Sequence, residues 1–316
     1  MDNSKIEKAY KILRLGADMS KEFYDKPLIV TYSGGKDSDV LLQLAIECLK
    51  PNEFEVMNSH TTLDAPPTVY HIREVFNKLK ELGVNTTIHY PRDKDGNFVS
   101  MWTLMPKKLM PPTRIVRYCC QVLKETSTPN RMIATGVRAD ESVQRSQRNE
   151  VEYREREREK RPLSKYSYEH AEEVFRDAMA RKGEPNSEVW DCRLIENARK
   201  QKDLIVNPIF SWNDKEIWEY IHDRKVKYNP LYDMGYKRVG CVGCPLSNRK
   251  NQMREFEDFP RYKVLYINSF DKMVKERIKR GKETEWKDGK EVFEWWIKDN
   301  SQVKGQMSLF DEEKKE

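Results

Sequence analysis

Leu-Ile-Val-Thr-Tyr-Ser-Gly-Gly-Lys-Asp-Ser, residues 28–38, changes character twice over a short span. A β-branched apolar run ends in a Ser-Gly-Gly turn. A helix then begins on Asp37 and Ser38, with Val40, Leu41, Leu44, Ala45 and Cys48 spaced along one face. The order is strand, glycine turn, helix. The glycines, Gly34 and Gly35, give the turn access to positive φ and let backbone approach a ligand. Free N–H groups of the new helix face that ligand, and the helix dipole favours an anion. Lys36 adds a mobile positive charge, and Ser33 and Ser38 add hydroxyl donors. The occupant this pattern implies is phosphate or pyrophosphate. Its spacing differs from the G-x-x-x-x-G-K-[ST] loop of the common NTPases.

Working outward, residues 4–23 carry Ile6, Ala9, Tyr10, Leu13 and Ala17 at helical spacing. Strands are expected at 54–58, 86–90 and 131–136, with a helix near 67–82 that sets Val69, Ile72, Phe76 and Leu79 in phase. Alternating strands and helices imply an α/β fold with a parallel sheet covered by helices on both faces. Ligands of such sheets bind beyond the carboxyl ends of the strands. Gly34–Gly35, His60–Asp64 and Gly136–Asp140 all follow expected strands, so they should gather on one edge. Residues 141–203 read as a charged helical insertion, in which Arg154–Arg161 alternates Arg and Glu and 168–182 looks helical. Order returns at Leu204–Phe210. Helices are expected over Trp212–Ile221, started by Asn213, near 254–280 and at 290–299. The expected division is an N-terminal helix (1–26), a nucleotide-binding domain (27–250), C-terminal helices (251–300) and a polar tail (301–316).

The 316 residues include 58 Lys and Arg against 52 Asp and Glu, a net charge of +6. This mild excess permits anionic nucleotides or nucleic acid as partners and proves neither. Fifteen Tyr, eleven Phe and seven Trp can supply a core. No apolar run approaches the roughly 20 residues of a membrane span, and Met1-Asp-Asn-Ser-Lys-Ile-Glu is too charged for a signal peptide. The expected location is the cytoplasm, where structural disulfides are uncommon.

The six cysteines therefore need another reading. Cys119 and Cys120 stand in tandem, and Cys241-Val-Gly-Cys244 forms a second pair. Four thiolates suit an iron–sulfur cluster or a structural zinc. Adjacent side chains diverge, so a tandem pair reaches a single small ion awkwardly and the separated corners of a [4Fe–4S] cube more easily. Gly240, Gly243 and Pro245 keep the second pair in a loop. Cys48 reads as a small core residue and Cys192 as a bystander in a charged segment.

Several motifs in order resemble the phosphoadenosine-phosphosulfate reductase family of the adenine nucleotide α-hydrolase superfamily. Ser33–Ser38 resembles its pyrophosphate loop. His60-Thr-Thr-Leu-Asp-Ala-Pro-Pro-Thr68 resembles the loop that lines its nucleotide site, and Thr135-Gly-Val-Arg-Ala-Asp-Glu-Ser142 the loop whose Arg faces phosphate. Pro112-Thr-Arg-Ile-Val-Arg-Tyr-Cys-Cys120 resembles the segment bearing the tandem cysteines. Asn207-Pro-Ile-Phe-Ser-Trp212 and Asn229-Pro-Leu-Tyr-Asp-Met-Gly-Tyr236 resemble late signatures. The resemblance implies a Rossmann-like fold and a nucleotide site of Ser33, Gly34, Gly35, Lys36, Asp37, Ser38, Thr61, Asp64, Gly136 and Arg138. It also implies a [4Fe–4S] cluster on Cys119, Cys120, Cys241 and Cys244, with Lys124 as a basic residue after the pair.

The implied chemistry is cleavage of ATP, or a related adenine nucleotide, at the α–β junction. Lys36, Asp37 and Arg138 would act there with Mg²⁺, which Asp37 or Asp64 would help to hold. The reductases also use a nucleophilic cysteine in a C-terminal tail, and no cysteine follows Cys244 here. The resemblance extends to the pyrophosphatases of DNA phosphorothioation systems, which lack that tail. Gln306-Met-Ser-Leu-Phe310 resembles the peptide by which bacterial DNA enzymes dock on the sliding clamp, with Gln306, Leu309 and Phe310 as its contacts. Three readings stay open. One is sulfur transfer to, or modification of, DNA. Another is a sulfonucleotide reductase that makes sulfite with an external thiol. The third is a non-catalytic nucleotide-binding adaptor on the clamp.

Overall fold

The computed structural model describes residues 2–124, 128, 130–153, 165–181 and 193–299. The chain divides into two interleaved units. One comprises Met1–Ser59, Pro66–His89 and Thr128–Val239, and the other His60–Ala65, Tyr90–Ser127 and Gly240–Glu316. In chain order the elements begin with α1 (Asn3–Tyr24), β1 (Leu28–Thr31), α2 (Lys36–Cys48), β2 (Phe54–Ser59), α3 (Pro66–Glu81) and β3 (Asn85–His89). There follow α4 (Met101–Lys108), α5 (Tyr118–Leu123), β4 (Met132–Ala134), α6 (Val143–Ser146), β5 (Val151–Tyr153) and β6 (Lys165–Tyr166). The last are α7 (Tyr168–Ala180), α8 (Arg193–Arg199), β7 (Leu204–Val206), α9 (Asp214–Asp223), α10 (Arg249–Asp258), α11 (Pro260–Lys279) and α12 (Gly289–Asp299).

The first unit is built on a seven-stranded sheet in the order β3-β2-β1-β4-β7-β5-β6. β3, β2, β1, β4 and β7 run parallel, with Val30 opposite both Val56 and Ala134. From β1 the chain winds outward through β2 to β3, then returns to place β4 on the other side. The order reverses between β1 and β4, and in open α/β sheets that crevice is where ligands bind. Leu28, Val30, Val56, Ala134 and Val206 share one buried cluster with Ile12 and Leu13 of α1, Leu41 and Leu44 of α2, and Ile72 and Phe76 of α3. Burying each of the Val, Leu, Ile and Phe side chains among them contributes about 1.5–3 kcal/mol. Gly16 lets α1 lie close on β7, since a Cβ there would stand 3.0 Å from Val206 Cγ2. On the opposite face Ile29, Ile133 and Ile205 are buried together.

The sheet is mostly parallel, with an addition the sequence pattern does not reveal. β5 runs antiparallel to β7, and β6 antiparallel to β5. Both strands lie within 141–203, read above as helical, where the described residues also form α6, α7 and α8. Strands this short carry too few residues to display a period of two. The Arg–Glu run at 154–161 and Cys192 lie outside the described residues, as do Gln306, Leu309 and Phe310. The helical stretch expected near 254–280 is two helices, α10 and α11. They part at Phe259-Pro260, because proline sits comfortably at a helix start and not inside one.

The second unit packs α4, α10, α11 and α12 with an aromatic core. Tyr266 stacks on Trp296 at 4.8 Å between ring centroids, and Phe256 meets Phe293 edge-on at 5.2 Å. The Trp296 indole N–H donates to the Pro112 carbonyl at 2.7 Å. No described helix is long and apolar enough to cross a membrane.

Candidate functional site: a phosphate cradle and a four-cysteine region

The cradle is built where β1 hands over to α2. Gly34 takes φ +72°, and a Cβ there would meet Ile72 Cγ1 at 2.9 Å, so glycine is required. The Ser38 hydroxyl braces the turn from inside. It donates to the Gly35 carbonyl at 2.7 Å and accepts from the Gly35 and Ser33 N–H groups at 3.2 and 3.3 Å. The buried amide of Asn229 donates to the Gly34 carbonyl at 2.8 Å. Beneath the loop, Tyr32 O–H donates to Asp39 Oδ1 at 2.5 Å, and His71 Nε2 lies 2.9 Å from the same oxygen. Burial lifts the Asp39 carboxyl above its ordinary range, with the bonds from His71 and Tyr32 opposing. This cluster ties the first turn of α2 to α3.

Two buried cations face the loop. Lys36 Nζ pairs with Asp214 Oδ1 at 2.8 Å and with Asp37 at 3.5 Å, with 7 % of its side chain exposed. Arg138, 3 % exposed, donates from Nε to Asp37 Oδ1 at 2.6 Å and from Nη2 to Asp214 Oδ1 at 3.2 Å. Its Nη1 reaches the Trp212 carbonyl at 3.3 Å. Burial raises the Asp214 carboxyl, but the hydrogen bond and charge of Lys36, with Arg138, win and hold it below the ordinary value of 3.8. Nearby, burial and the charges of Arg238 and Arg148 lower Arg145 from its usual value. Lys36 and Arg138 converge here, each matched by carboxylates, and a polyphosphate is an anion that suits such a pair. Gly136 fits against the start of α2, where a Cβ would stand 3.0 Å from the Asp37 carbonyl oxygen.

The second unit holds the cysteines together with Thr61 and Asp64. The Thr61 hydroxyl donates to Asp64 Oδ2 at 2.8 Å, and the Cys241 thiol lies 3.7 Å from that hydroxyl. Asp64 and Cys241 pair as an isolated antiparallel bridge. A hydrogen bond with Cys120, then burial, then the fields of Cys120, Cys241 and Cys244 raise the Cys119 thiol. Burial pushes Cys241 up to about 11, with Lys124 opposing, and the Cys241 charge raises Lys124 in return. As donors, four thiols suit a cluster or zinc. As placed, no three or more Cys, His, Asp or Glu side chains among the described residues form a group that could hold a metal ion.

The phosphoadenosine phosphosulfate reductase domain matches residues 27–247, more than half of the chain. The chain belongs to that domain family. Members of the family include enzymes. An adenosine 5′-phosphosulfate reductase of Bacillus mycoides is 37% identical over 54 residues, 17% of this chain and 23% of the relative. An uncharacterised protein of Methanocaldococcus jannaschii is 25% identical over 237 residues, 75% of this chain and 40% of the relative. The chain thus spans less than half the length of these relatives. Among solved structures, the phosphoadenylyl-sulfate reductase of Candida auris, in a phosphate complex, is similar with 15% identity and a TM-score of 0.41. That match covers 76% of this chain and 96% of the other.

For this member of the family, the structure brings Ser33–Ser38, Gly136 and Arg138 together in the first unit. It places Thr61, Asp64 and the four cysteines in the second. Sequence reasoning missed Asp214, Arg145 and the role of Tyr232, whose hydroxyl accepts from the Lys36 backbone N–H at 3.0 Å. A signal existed for Asp214, since the Asn213 cap places it in the first turn of α9.

Proposed function

We propose that the protein binds ATP, or a closely related adenine nucleotide, at the Ser33–Ser38 loop and cleaves it between the α and β phosphates. An acceptor attacks the α-phosphorus, the bond to the bridging oxygen breaks, and pyrophosphate leaves as the adenylyl group passes to the acceptor. The observation that carries this reading is the pair of buried cations, Lys36 and Arg138, which share Asp37 and Asp214 at the mouth of a phosphate-binding turn. Buried charge is kept where it meets opposite charge. Incoming phosphates would take over the carboxylates' place, and Lys36 and Arg138 would stabilise charge that grows on the leaving pyrophosphate. Asp37 would meet the Mg²⁺ that accompanies such phosphates. Cys119, Cys120, Cys241 and Cys244 supply the donor set of a [4Fe–4S] cluster, but as placed they form no group that could hold a metal ion, so no step of this reaction is routed through one.

The acceptor in this reading belongs to DNA, and the clamp-like peptide at 306–310 supports that choice. The test is pyrophosphate release from ATP with DNA and a sulfur donor present. Lys36→Ala is expected to slow release about a hundredfold or more, the cost of losing one preorganised charge partner. No pyrophosphate from the unmodified protein under those conditions overturns the proposal. A second reading, a sulfonucleotide reductase, draws on the short match to adenosine 5′-phosphosulfate reductases. Sulfite release from adenylyl sulfate with an external thiol would favour it.

A further inference from the structure

Next to the phosphate cradle, within the first unit, lies a cavity of about 540 Å³. Its size falls in the range of sites for small organic ligands, about 300–1,000 Å³. Its lining includes the rings of Trp218, His222, Tyr228, Tyr232 and Tyr236, with His222 stacked on Trp218 at 5.9 Å. Trp218 meets Tyr228 at 5.3 Å and 88°, and Tyr232 at 5.2 Å and 89°. Asp214, Asp233 and Lys237 supply the charged groups. The Tyr228 hydroxyl donates to Asp233 Oδ1 at 2.8 Å and fixes that carboxylate. An ionised carboxylate has about four acceptor positions, so capacity remains for a donor in the cavity.

The cavity is tied to the cradle through two of its own walls. Tyr232 accepts from the Lys36 N–H at 3.0 Å, and Asp214 pairs with Lys36 Nζ at 2.8 Å. An occupant would therefore lie against the residues that hold Lys36, beside the phosphates to be cleaved. Aromatic walls favour a flat π-system. Carboxylates favour an edge that donates hydrogen bonds over one that only accepts. Lys237, followed by Arg238, offers charge to a phosphate carried on the sugar joined to that ring.

We propose that this cavity binds an unpaired nucleobase carrying an exocyclic amino group, as the recognition element of the second substrate. An unstacked base presents both its face and its edge, which a paired base does not. The role as second substrate rests on the reading above, whereas the binding itself does not.

The test uses the full chain and fluorescence anisotropy of a labelled deoxycytidine strand of about eight nucleotides, within the usual single-strand site size. An all-abasic strand and a deoxyuridine strand of the same length are the comparators. The cytidine strand is expected to bind about tenfold more tightly than the abasic one, and more tightly than the uridine strand. Trp218→Ala and Tyr228→Ala should each weaken it about tenfold, the range for one lost base stack. Asp233→Asn, a change at an exposed residue, should erase the cytidine-over-uridine preference at an unchanged melting temperature. Competition by free deoxycytidine monophosphate marks a mononucleotide as sufficient, and failure to compete marks a strand as required. Equal binding of abasic and cytidine strands, or unchanged binding in all three variants, overturns the assignment. Pyrophosphate release is measured separately, so a failed ATP reading and a failed base site give different results.

Discussion

At the scale of single residues, Asp214 is the most informative side chain in the cradle. It pairs with Lys36 and Arg138 at once, although 58 % of its own side chain is exposed. In the proposed reaction a phosphate oxygen would take its place between the two cations. Asp214→Asn removes that charge. The expected result is a loss of about 1 kcal/mol in the absence of ligand, kept small by solvent screening of the exposed carboxylate. The melting-temperature rise on adding ATP should become larger, because phosphate then supplies the missing charge. A smaller rise would mean that Asp214 itself holds the ligand. The pairing also has a pH signature. The Asp214 carboxyl titrates below its unfolded value of 3.8 in the folded chain. Its stabilisation is therefore complete above about pH 4 and is lost as acid titrates the folded carboxyl below that. In Asp214→Asn this part of the acid-induced loss should disappear from denaturation curves taken between pH 5 and about pH 3.

At the scale of elements, the site depends on how closely the end of β4 meets the start of α2. Gly136 stands where a Cβ would crowd the Asp37 carbonyl oxygen at 3.0 Å, a backbone atom that cannot rotate away. Gly136→Ala is expected to part the two elements and stretch the 2.6 Å bond from Arg138 to Asp37. ATP affinity, read by titration calorimetry, should fall about tenfold or more, since misplacing a positioned charge by a fraction of an ångström is costly. Unchanged affinity would show that the Arg138 contact does not set the cradle. In the second unit, Gly243 has φ +70°, and a Cβ there would lie 2.6 Å from Phe256 Cζ. That close approach, with the Tyr266 hydroxyl donating to the Val242 carbonyl at 3.0 Å, ties the Cys241–Cys244 turn to the aromatic core.

For the whole molecule, the two units divide the chemistry between them. The phosphate cradle belongs entirely to one, and the four cysteines to the other. If the cysteines hold a cluster, protein purified without oxygen should contain iron and labile sulfide in nearly equal amounts, with visible absorbance. Cys241→Ser and Cys120→Ser should each lose most of that iron. Zinc in place of iron would point to a structural centre. Sequence patterns reached the mostly parallel α/β sheet and the loop after β1. The strand, glycine turn and capped helix at 28–48 appeared as expected, because each feature is encoded by neighbouring residues. The strands β5 and β6 did not, because such short segments show no periodicity and are fixed by pairing with β7. Arg145 was equally hidden, since Arg238, Asp37 and Arg138, whose charges act on it, are brought near only by folding.

The sequence by itself determined the local chemistry: where β1 ends, where the backbone must turn through glycine, where a helix exposes its N–H groups, and which four cysteines stand in pairs. Those depend on dihedral preferences and hydrogen bonds within a few residues. Tertiary structure alone decided that Arg138 and Lys36 share Asp214, that Tyr232 caps the loop, and that an aromatic cavity adjoins it. These partners lie some 75 to nearly 200 positions apart in the chain. Their meeting is set by the order of strands in the sheet and by burial, and no local pattern records either.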